Sequence, residues 1–380
     1  MEKTSKIYVA GHRGLVGSAT LRRLQAFGYS NLITRTHAEL DLERQDKVET
    51  FFQEARPEYV FLAAARVGGI LANASYPAEF IYQNLIVQVN VLHSAWRSGV
   101  KRLLFLGSSC IYPRECPQPM REEYLLSGPL EPTNRPYAVA KIAGIEQGAA
   151  YNRQHGTRFL SVMPTNLYGN RDNFDLESSH VLPALIRKFH LAKLAAAGDW
   201  DGLRRDEHRF GPIPPDIFAS LLAIARAAGH APPASLTNRS NAVNSSAPPA
   251  IILWGTGTPR RELLHVDDLA DACVFLMNLD ETSFTALCLG PEEQADASAT
   301  RVYSPLVNIG CGEDFTIREL TEIVADLVGY HEEIRWDSGK PDGTPRKLLD
   351  VSRLRSLGWA PKISLRQGIT ATYRWYLENR

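Results

Sequence analysis

A glycine-rich turn between an apolar run and a helical pattern constrains the fold more than any other part of the chain. Ile7 to Ala10 is wholly apolar, as in a strand that is buried on both faces. The next seven residues read GHRGLVG, and apolar residues then recur at helical spacing. In such a strand, turn and helix, the backbone can approach a pyrophosphate, and the N–H groups of the helix N-terminus can bind it.

This pattern predicts that the turn binds a dinucleotide cofactor, although its spacing is GxxGxxG rather than the usual GxGxxG. An ordinary tight turn is the alternative explanation. The expected cofactor contacts in this segment are Gly11, His12, Arg13, Gly14, Leu15, Val16 and Gly17.

Basic residues stand where the ribose of such a cofactor would lie. A second strand is predicted at 32–35, and it ends on Arg35, 18 residues after Gly17. An acid near this position suits NAD, whereas an Arg accommodates a 2′-phosphate. Arg13 could reach the same phosphate, and Asp41 could touch the adenine. We therefore predict NADPH rather than NADH, with a solvated surface charge as the other explanation of Arg35.

Further strand patterns alternate with helical segments. Strands are predicted at 59–65, 102–107 and 158–164, and a helix at 84–96. Repeated strand–helix units give a parallel, doubly wound sheet, in which ligands bind beyond the carboxyl ends of the strands. The expected fold class is therefore α/β, with a doubly wound parallel (Rossmann) sheet over 1–165, to which parts of 251–285 return. Residues 166–380 are expected to form a smaller α+β substrate-binding lobe.

Composition excludes several classes of protein. The 380 residues include 42 basic and 42 acidic ones, so no overall charge favours nucleic acid or an anionic membrane. The five cysteines are scattered and contain no CxxC pair, which argues against a disulfide framework or a zinc site and for a reducing cytoplasm. No apolar run reaches transmembrane length, and the first apolar run is too short for a signal segment. We expect a cytoplasmic protein without a metal.

A tyrosine and a lysine four residues apart are the first candidates for chemistry. On a helix, Tyr137 and Lys141 lie on one face. A nearby positive charge is expected to lower the pKa of the phenol, which could then exchange a proton with a substrate oxygen near neutral pH. Pro136 also fits an ordinary helix start, which is the competing explanation.

Six phrases along the chain resemble one family. They are Ala10–Gly17, Gly107–Pro113, Glu131–Asn134, Met163–Gly169, Leu264–Asp268 and Lys340–Lys347. With these phrases the chain resembles the extended short-chain dehydrogenases/reductases that act on nucleotide sugars, and most closely the GDP-L-fucose synthases. The resemblance implies that GDP-4-keto-6-deoxymannose is epimerised at C3 and C5, and that NADPH then reduces its 4-keto group. It also implies a homodimer; the apolar stripe from Leu85 to Trp96 fits either its interface or core packing.

The resemblance assigns roles to individual residues. Cys110 matches the base of the epimerisation and His180 its acid, and a thiolate near Lys141 would have a lowered pKa. Ser108 and Tyr137 complete the reductive set with Lys141. Cofactor contacts beyond the glycine turn are implied at Arg35, Asp41, Ala63, Leu106, Gly107, Ser108, Ser109, Tyr137, Lys141, Pro164, Thr165, Asn166, Leu167 and His180, and substrate contacts at Lys188, Trp254, Arg261 and Asp342.

Simpler explanations exist for three of these residues. Cys110 could be a small buried apolar residue, His180 could merely neighbour a helix cap, and Asp342 could build a Pro-Asp-Gly turn. At the level of the whole protein, a related 4-reductase or 4-epimerase and an NADPH-binding regulatory protein are the alternative functions.

Two stretches depart from the family pattern. Nearly sixty residues stand near 194–250, where the family has a short connector. They include an amphipathic run at 217–228 and a Pro/Ser/Asn-rich run at 231–249 that is predicted to be flexible or disordered. A lid over the substrate, or a partner surface, is the hypothesis for this insertion. The second departure, near 285–304, is polar and acidic.

Overall fold

The computed structural model describes residues 1–233, 248–289, 305–340 and 342–379, and it divides the chain into two compact units. The first comprises Met1–Leu167, Glu262–Glu313 and Lys347–Ile363. The second comprises Tyr168–Arg261, Asp314–Arg346 and Ser364–Arg380. The sequence analysis predicted the boundary between the two units at residue 165 and assigned only parts of 251–285 to the first unit. The first unit takes more of the chain because a late strand completes its sheet.

Most strands are short, and several end earlier than the sequence patterns do. Along the chain they are β1 (Ile7–Ala10), β2 (Leu32–Ile33), β3 (Tyr59–Leu62), β4 (Arg102–Leu106), β5 (Phe159–Pro164), β6 (Asn166–Tyr168), β7 (Ile251–Trp254), β8 (Arg260–Arg261), β9 (Leu263–His265), β10 (Leu306–Ile309), β11 (Phe315–Thr316), β12 (Ile334–Asp337) and β13 (Arg346–Lys347). The strand predicted at 59–65 stops at Leu62 because its partner β1 stops at Ala10.

The helices carry most of the remaining described residues. They are α1 (Leu15–Ala26), α2 (Gln45–Ala55), α3 (Ile70–Ser75), α4 (Pro77–Arg97), α5 (Arg135–His155), α6 (Val181–Ala196), α7 (Trp200–Phe210), α8 (Pro215–Ala227), α9 (Val266–Met277), α10 (Glu281–Leu289), α11 (Ile317–Val328), α12 (Ser352–Ser356) and α13 (Leu365–Glu378). Among the described residues no single helix is long and apolar enough to cross a membrane; α9 and α10 meet that test only as a pair, bent by 104°.

The first unit is built on a six-stranded parallel sheet in the order β10-β5-β4-β3-β1-β2. Alternate residues of β1 point to opposite faces. Tyr8 packs in a core with Val91 of α4, whereas Val9 packs in a second core with Leu269 of α9. Helices therefore cover both faces, and the predicted doubly wound α/β fold is confirmed.

The order of the strands reverses between β1 and β3, which lie side by side although β2 separates them in sequence. In open parallel sheets, ligands bind beyond the carboxyl ends of the strands at such a point. Gly11 follows β1 and Ala63 follows β3, while Gly107 and Ser108 follow the next strand, β4. The fold thus brings three predicted cofactor segments to one edge of the sheet.

The second unit is mainly helical, with two small strand pairs. Strands β7 and β12 pair in parallel, and β8 pairs with β11 in the antiparallel direction. Helix α11 begins with a capping box, in which the side chains of Thr316 and Glu319 each accept a hydrogen bond from the other residue's backbone N–H. A fully buried ion pair joins Arg187 of α6 to Asp206 of α7 at 2.8 Å.

Helices α7 and α8 fill the described part of the first insertion. Helix α8 covers the amphipathic run predicted at 217–228. Most of the Pro/Ser/Asn-rich run predicted to be flexible lies outside the described residues, at 234–247. Most of the second departure, at 290–304, lies outside them too. The lid hypothesis stays a prediction.

Candidate active site

Two glycines of the predicted cofactor turn have no room for a side chain. A Cβ on Gly17 would lie 2.1 Å from the carbonyl oxygen of Gly11. Gly11 itself has φ +83°, and a Cβ there would lie 2.7 Å from the backbone nitrogen of Ala64. The Gly14 N–H donates to the Gly11 oxygen at 3.0 Å, and α1 begins at the next residue. The turn and the α1 N-terminus therefore form the backbone cradle that a pyrophosphate requires.

Two guanidinium groups stand near the ends of β1 and β2. Arg13 and Arg35 are exposed, and both contribute to a lowered pKa of Glu39, whose main cause is the backbone hydrogen bond from Thr36. Arg35 also donates to the Thr34 carbonyl at 2.8 Å. A guanidinium suits a 2′-phosphate because it can bind it with two parallel hydrogen bonds, but the role of Arg13 and Arg35 toward a cofactor stays a prediction.

The four residues of the first unit to which the sequence assigned chemistry lie together. Lys141 is 2% exposed, and its ammonium group donates to the Leu106 carbonyl at 2.7 Å and lies 5.8 Å from the centroid of the Tyr137 ring. Ser108 is hydrogen-bonded to the side chains of both Tyr137 and Cys110. The Cys110 N–H also donates to Ser108 Oγ at 3.4 Å.

Burial, rather than the lysine charge, dominates the acid–base properties of this cluster. The prediction that Lys141 lowers the pKa of Tyr137 is wrong: burial raises that pKa, the neighbouring Cys110 adds to the rise, and a hydrogen bond with Ser108 opposes it. The expected lowering of the Cys110 pKa is wrong too: burial raises it, although Ser108, Lys347 and Lys141 act in the other direction. The pKa of Lys141 falls to about 8 for the same reason. One ammonium cannot offset the loss of water around these groups, so Tyr137 is suited to donate a proton.

Asn134, at the start of the helix that carries Tyr137, was given no role in the sequence analysis. Glu131 accepts hydrogen bonds from the N–H groups of Thr133 at 2.9 Å and Asn134 at 3.2 Å, which fixes the entry to α5. Asn134 occupies the N-cap, but its side chain makes no cap bond. Its Oδ1 is buried and has no hydrogen-bond partner within the described ranges. An Asn three residues before Tyr137, followed by Pro136, is the signal that could have indicated it.

The residues predicted to border the nicotinamide lie at the end of β5 and directly after it, and they are held by the buried Glu262. Thr165 donates from its N–H to Ile309 at 3.0 Å and from Oγ1 to the Glu262 carbonyl at 3.2 Å, and Asn166 donates to the same carbonyl at 3.0 Å. The Glu262 carboxylate is fully buried and accepts from the N–H groups of Gly312 at 2.7 Å and Leu349 at 2.9 Å. Glu262 was missed because its partners are distant in sequence.

The remaining predicted residues belong to the second unit. His180 is exposed and stands at the N-cap of α6 without capping it. Burial lowers the pKa of Lys188, with Asp216 opposing the fall. Trp254 is 58% exposed at the end of β7, with the Lys340 ammonium 5.2 Å from the centroid of its ring.

Two other predicted substrate residues of this unit are engaged in loop contacts. Arg261 donates to the carbonyls of Arg260 at 2.7 Å and Thr344 at 2.6 Å. Asp342 accepts from the Thr256 N–H at 3.0 Å and from its hydroxyl at 2.7 Å. These bonds join two loops 86 residues apart in sequence, so the Pro-Asp-Gly turn remains an untested alternative. Their contacts with a substrate stay predictions. Within the described part of the chain, no three His, Cys, Asp or Glu residues are grouped as for a metal.

Comparisons with known proteins assign the chain to a family. Residues 7–205 and 225–286 match the family described as NAD dependent epimerase/dehydratase. The chain is 50% identical over 380 residues to GDP-L-fucose synthase 1 of Arabidopsis thaliana, covering 100% of this chain and 95% of the relative. It is 44% identical over 375 residues to GDP-L-fucose synthase of Escherichia coli, with 99% and 97% covered.

A solved structure extends the likeness to three dimensions. It is that of a GDP-D-glycero-L-gluco-heptose synthase from Campylobacter jejuni in the presence of NADPH, at 37% identity and a TM-score of 0.81, with 99% of each chain covered. The resemblance seen in the sequence phrases is thereby confirmed. The chain belongs to the NAD dependent epimerase/dehydratase family and, within it, to the GDP-L-fucose synthases.

Proposed function

We propose that this protein converts GDP-4-keto-6-deoxy-D-mannose to GDP-L-fucose by epimerisation at C3 and C5 followed by NADPH-dependent reduction of the C4 ketone. The observation that carries the proposal is the cluster of Ser108, Cys110, Tyr137 and Lys141 in the first unit. The relatives named above, at 44% and 50% identity, are GDP-L-fucose synthases.

NADP(H) fits the residues that the first unit offers. The side-chain-free turn at Gly11 and Gly17 would hold the pyrophosphate, and Arg13 and Arg35 would bind a 2′-phosphate. Thr165 and its neighbours, fixed by Glu262, would border the nicotinamide. When bound, NADPH supplies the hydride for C4.

In the reduction, the protein must hold and protonate the C4 oxygen. Tyr137 keeps its proton at neutral pH because burial raises its pKa, so it can give that proton to the oxygen as hydride reaches the carbon. Ser108, hydrogen-bonded to Tyr137, would hold the same oxygen. Lys141 supplies positive charge beside the ring of Tyr137, where the phenolate would form.

In the epimerisation, the ketone acidifies the C–H bonds at C3 and C5. At the first centre Cys110 as thiolate would remove the proton, and His180 would return a proton to the opposite face of the enolate. Proton exchange with water would then restore the thiolate and the protonated His180 before the second centre reacts. Burial raises the pKa of Cys110, whereas the hydrogen bond with Ser108 and the charges of Lys347 and Lys141 act to lower it. Ser108 and these two cations therefore favour the reactive thiolate.

Two matched variants separate the steps. NADPH oxidation is followed by absorbance, and deuterium uptake from D2O at C3 and C5 by mass spectrometry, with the keto sugar as substrate. We expect Tyr137→Phe to abolish oxidation and keep uptake, and Cys110→Ser to lose uptake. Wild-type uptake in Cys110→Ser would overturn the base assignment. Reduction by the wild type without uptake would favour a plain 4-reductase.

The same proposal includes a homodimer in a reducing cytoplasm. All five cysteines are free thiols. On α4, Tyr82 and Val89 are 61% and 43% exposed and lie seven residues apart on one face, which suits a partner helix. Light scattering should give a dimer for the wild type and a monomer for Val89→Glu. A wild-type monomer at micromolar concentration would contradict this part.

A further inference from the structure

One loop of the second unit holds three buried polar atoms without a partner. They are Oδ1 of Asn170, Oδ2 of Asp172 and Oγ of Ser179, and none has a hydrogen bond within the described ranges of the chain. Buried polar atoms in native proteins are almost always paired. An unpaired carboxylate oxygen is the most costly of the three, because the charged group loses its water without compensation. The loop therefore calls for an explanation beyond folding.

The loop is too firmly held for a small shift to satisfy these atoms. The guanidinium of Arg187, fully buried, donates to the carbonyls of Phe174 at 3.1 Å and Phe210 at 2.8 Å. The Phe174 ring packs 4.9 Å from the ring of Tyr376. Within the loop, Asp175 accepts hydrogen bonds from the N–H and hydroxyl of Ser178 at 3.0 and 2.7 Å.

The backbone beside the carboxylate is strained. Arg171, directly before Asp172, has φ +68°, in the left-handed region that residues other than glycine rarely adopt. Oδ1 of Asp172 accepts the N–H of Asn173 at 2.8 Å, so the orientation of the carboxylate is fixed and Oδ2 is left over. Strain of this kind persists where the surrounding structure enforces it, and it is concentrated at functional sites.

We propose that Asn170, Asp172 and Ser179 form a hydrogen-bonding subsite for the sugar hydroxyl groups of a GDP-sugar. Asn170 Oδ1 and Asp172 Oδ2 are acceptors and match O–H donors, while the Ser179 hydroxyl can donate or accept. Ser179 is joined directly to His180, the proposed acid of the epimerisation, which favours the sugar over the nucleotide as the source of the hydroxyls. This inference rests on the proposed function and adds specificity residues to it.

The test compares GDP-L-fucose with GDP by titration calorimetry, with NADP+ saturating. Asp172→Asn keeps the shape of the side chain. This variant and Asn170→Ala should each lower the affinity for GDP-L-fucose at least tenfold and leave the affinity for GDP unchanged. Glu177→Gln alters an exposed carboxylate of the same loop and should change neither affinity. Asp172→Asn serves as the second measurement if Asn170→Ala does not fold.

Three results would overturn the inference. Unchanged GDP-L-fucose affinity in both variants would show that the loop does not bind the ligand. An equal loss of affinity for GDP would mean that Asn170 and Asp172 bind donor groups of the nucleotide instead of the sugar hydroxyls. A wild type that neither binds GDP-L-fucose nor oxidises NADPH with the keto sugar would remove the proposed function itself, and that failure is seen before any variant is made.

Discussion

Replacing Asp172 by Asn should stabilise the protein, by an amount that depends on pH. Burial raises the pKa of the Asp172 carboxyl from 3.8 to about 7, because the ionised form is separated from water. A rise of this size costs the folded state about 4 kcal/mol once the carboxyl is ionised. Because Oδ2 is fully buried, solvent screening does little to lower this cost.

The raised pKa fixes the direction of the pH dependence. Below about pH 4 the folded and unfolded states both hold the proton, and the penalty is absent. Between about pH 4 and 7 the unfolded state ionises first, so the free energy of unfolding of the wild type falls as the pH rises; above about pH 7 the penalty is constant. An Asn at this position does not titrate. The advantage of Asp172→Asn should thus be about 2 kcal/mol at pH 5.5 and about 4 kcal/mol at pH 8.

The assay is urea unfolding of wild type and variant at pH 5.5, 7 and 8, followed by circular dichroism and by tryptophan fluorescence. Glu177→Gln, an exposed carboxylate of the same loop, should leave the free energy of unfolding unchanged at every pH. A variant that is less stable than the wild type at pH 8 would mean that Asp172 has a structural partner. A gain that does not vary with pH would refute the link to the raised pKa.

Three further outcomes follow from the first unit. Gly17→Ala should abolish NADPH binding, measured by fluorescence titration, because its methyl group would lie 2.1 Å from the Gly11 oxygen; normal binding would contradict the cradle. Arg35→Ala should lower the affinity for NADPH about tenfold and leave the affinity for NADH unchanged. A wild type that binds NADH more tightly than NADPH would contradict the assignment of Arg35 to the 2′-phosphate. NADPH affinity should fall as the pH rises through about 8, where buried Lys141 loses its charge, and Lys141→Met should remove that pH dependence.

The local patterns of the sequence were sufficient to predict the sheet and its cofactor edge. Strand β1 has the predicted bounds, Ile7–Ala10. The glycines after β1 and the small residues after β3 are at the expected edge. These features were predictable because a buried parallel strand and a glycine turn each depend on a few consecutive residues.

The acid–base properties of the site were not predictable in the same way. Helical spacing places Lys141 beside Tyr137, but the pKa of each group depends on how much water the rest of the unit removes. The carbonyl of Leu106, which accepts the hydrogen bond from the Lys141 ammonium, is 35 residues away in sequence. The contacts of Glu262 with Gly312 and Leu349 span 50 and 87 residues. Desolvation and long-range hydrogen bonds leave no periodic trace in a sequence.

Strand β10 comes late in the chain, and this position has a consequence for folding during synthesis on the ribosome. Until Leu306–Ile309 emerges, the nascent sheet ends at β5, whose edge carries unpaired N–H and C=O groups. Residues Lys347–Ile363 of the same unit follow later still. The nucleotide-binding half, although encoded first, is therefore among the last parts of the polypeptide to be completed. During that interval β5 offers an aggregation-prone edge that a chaperone would have to shield.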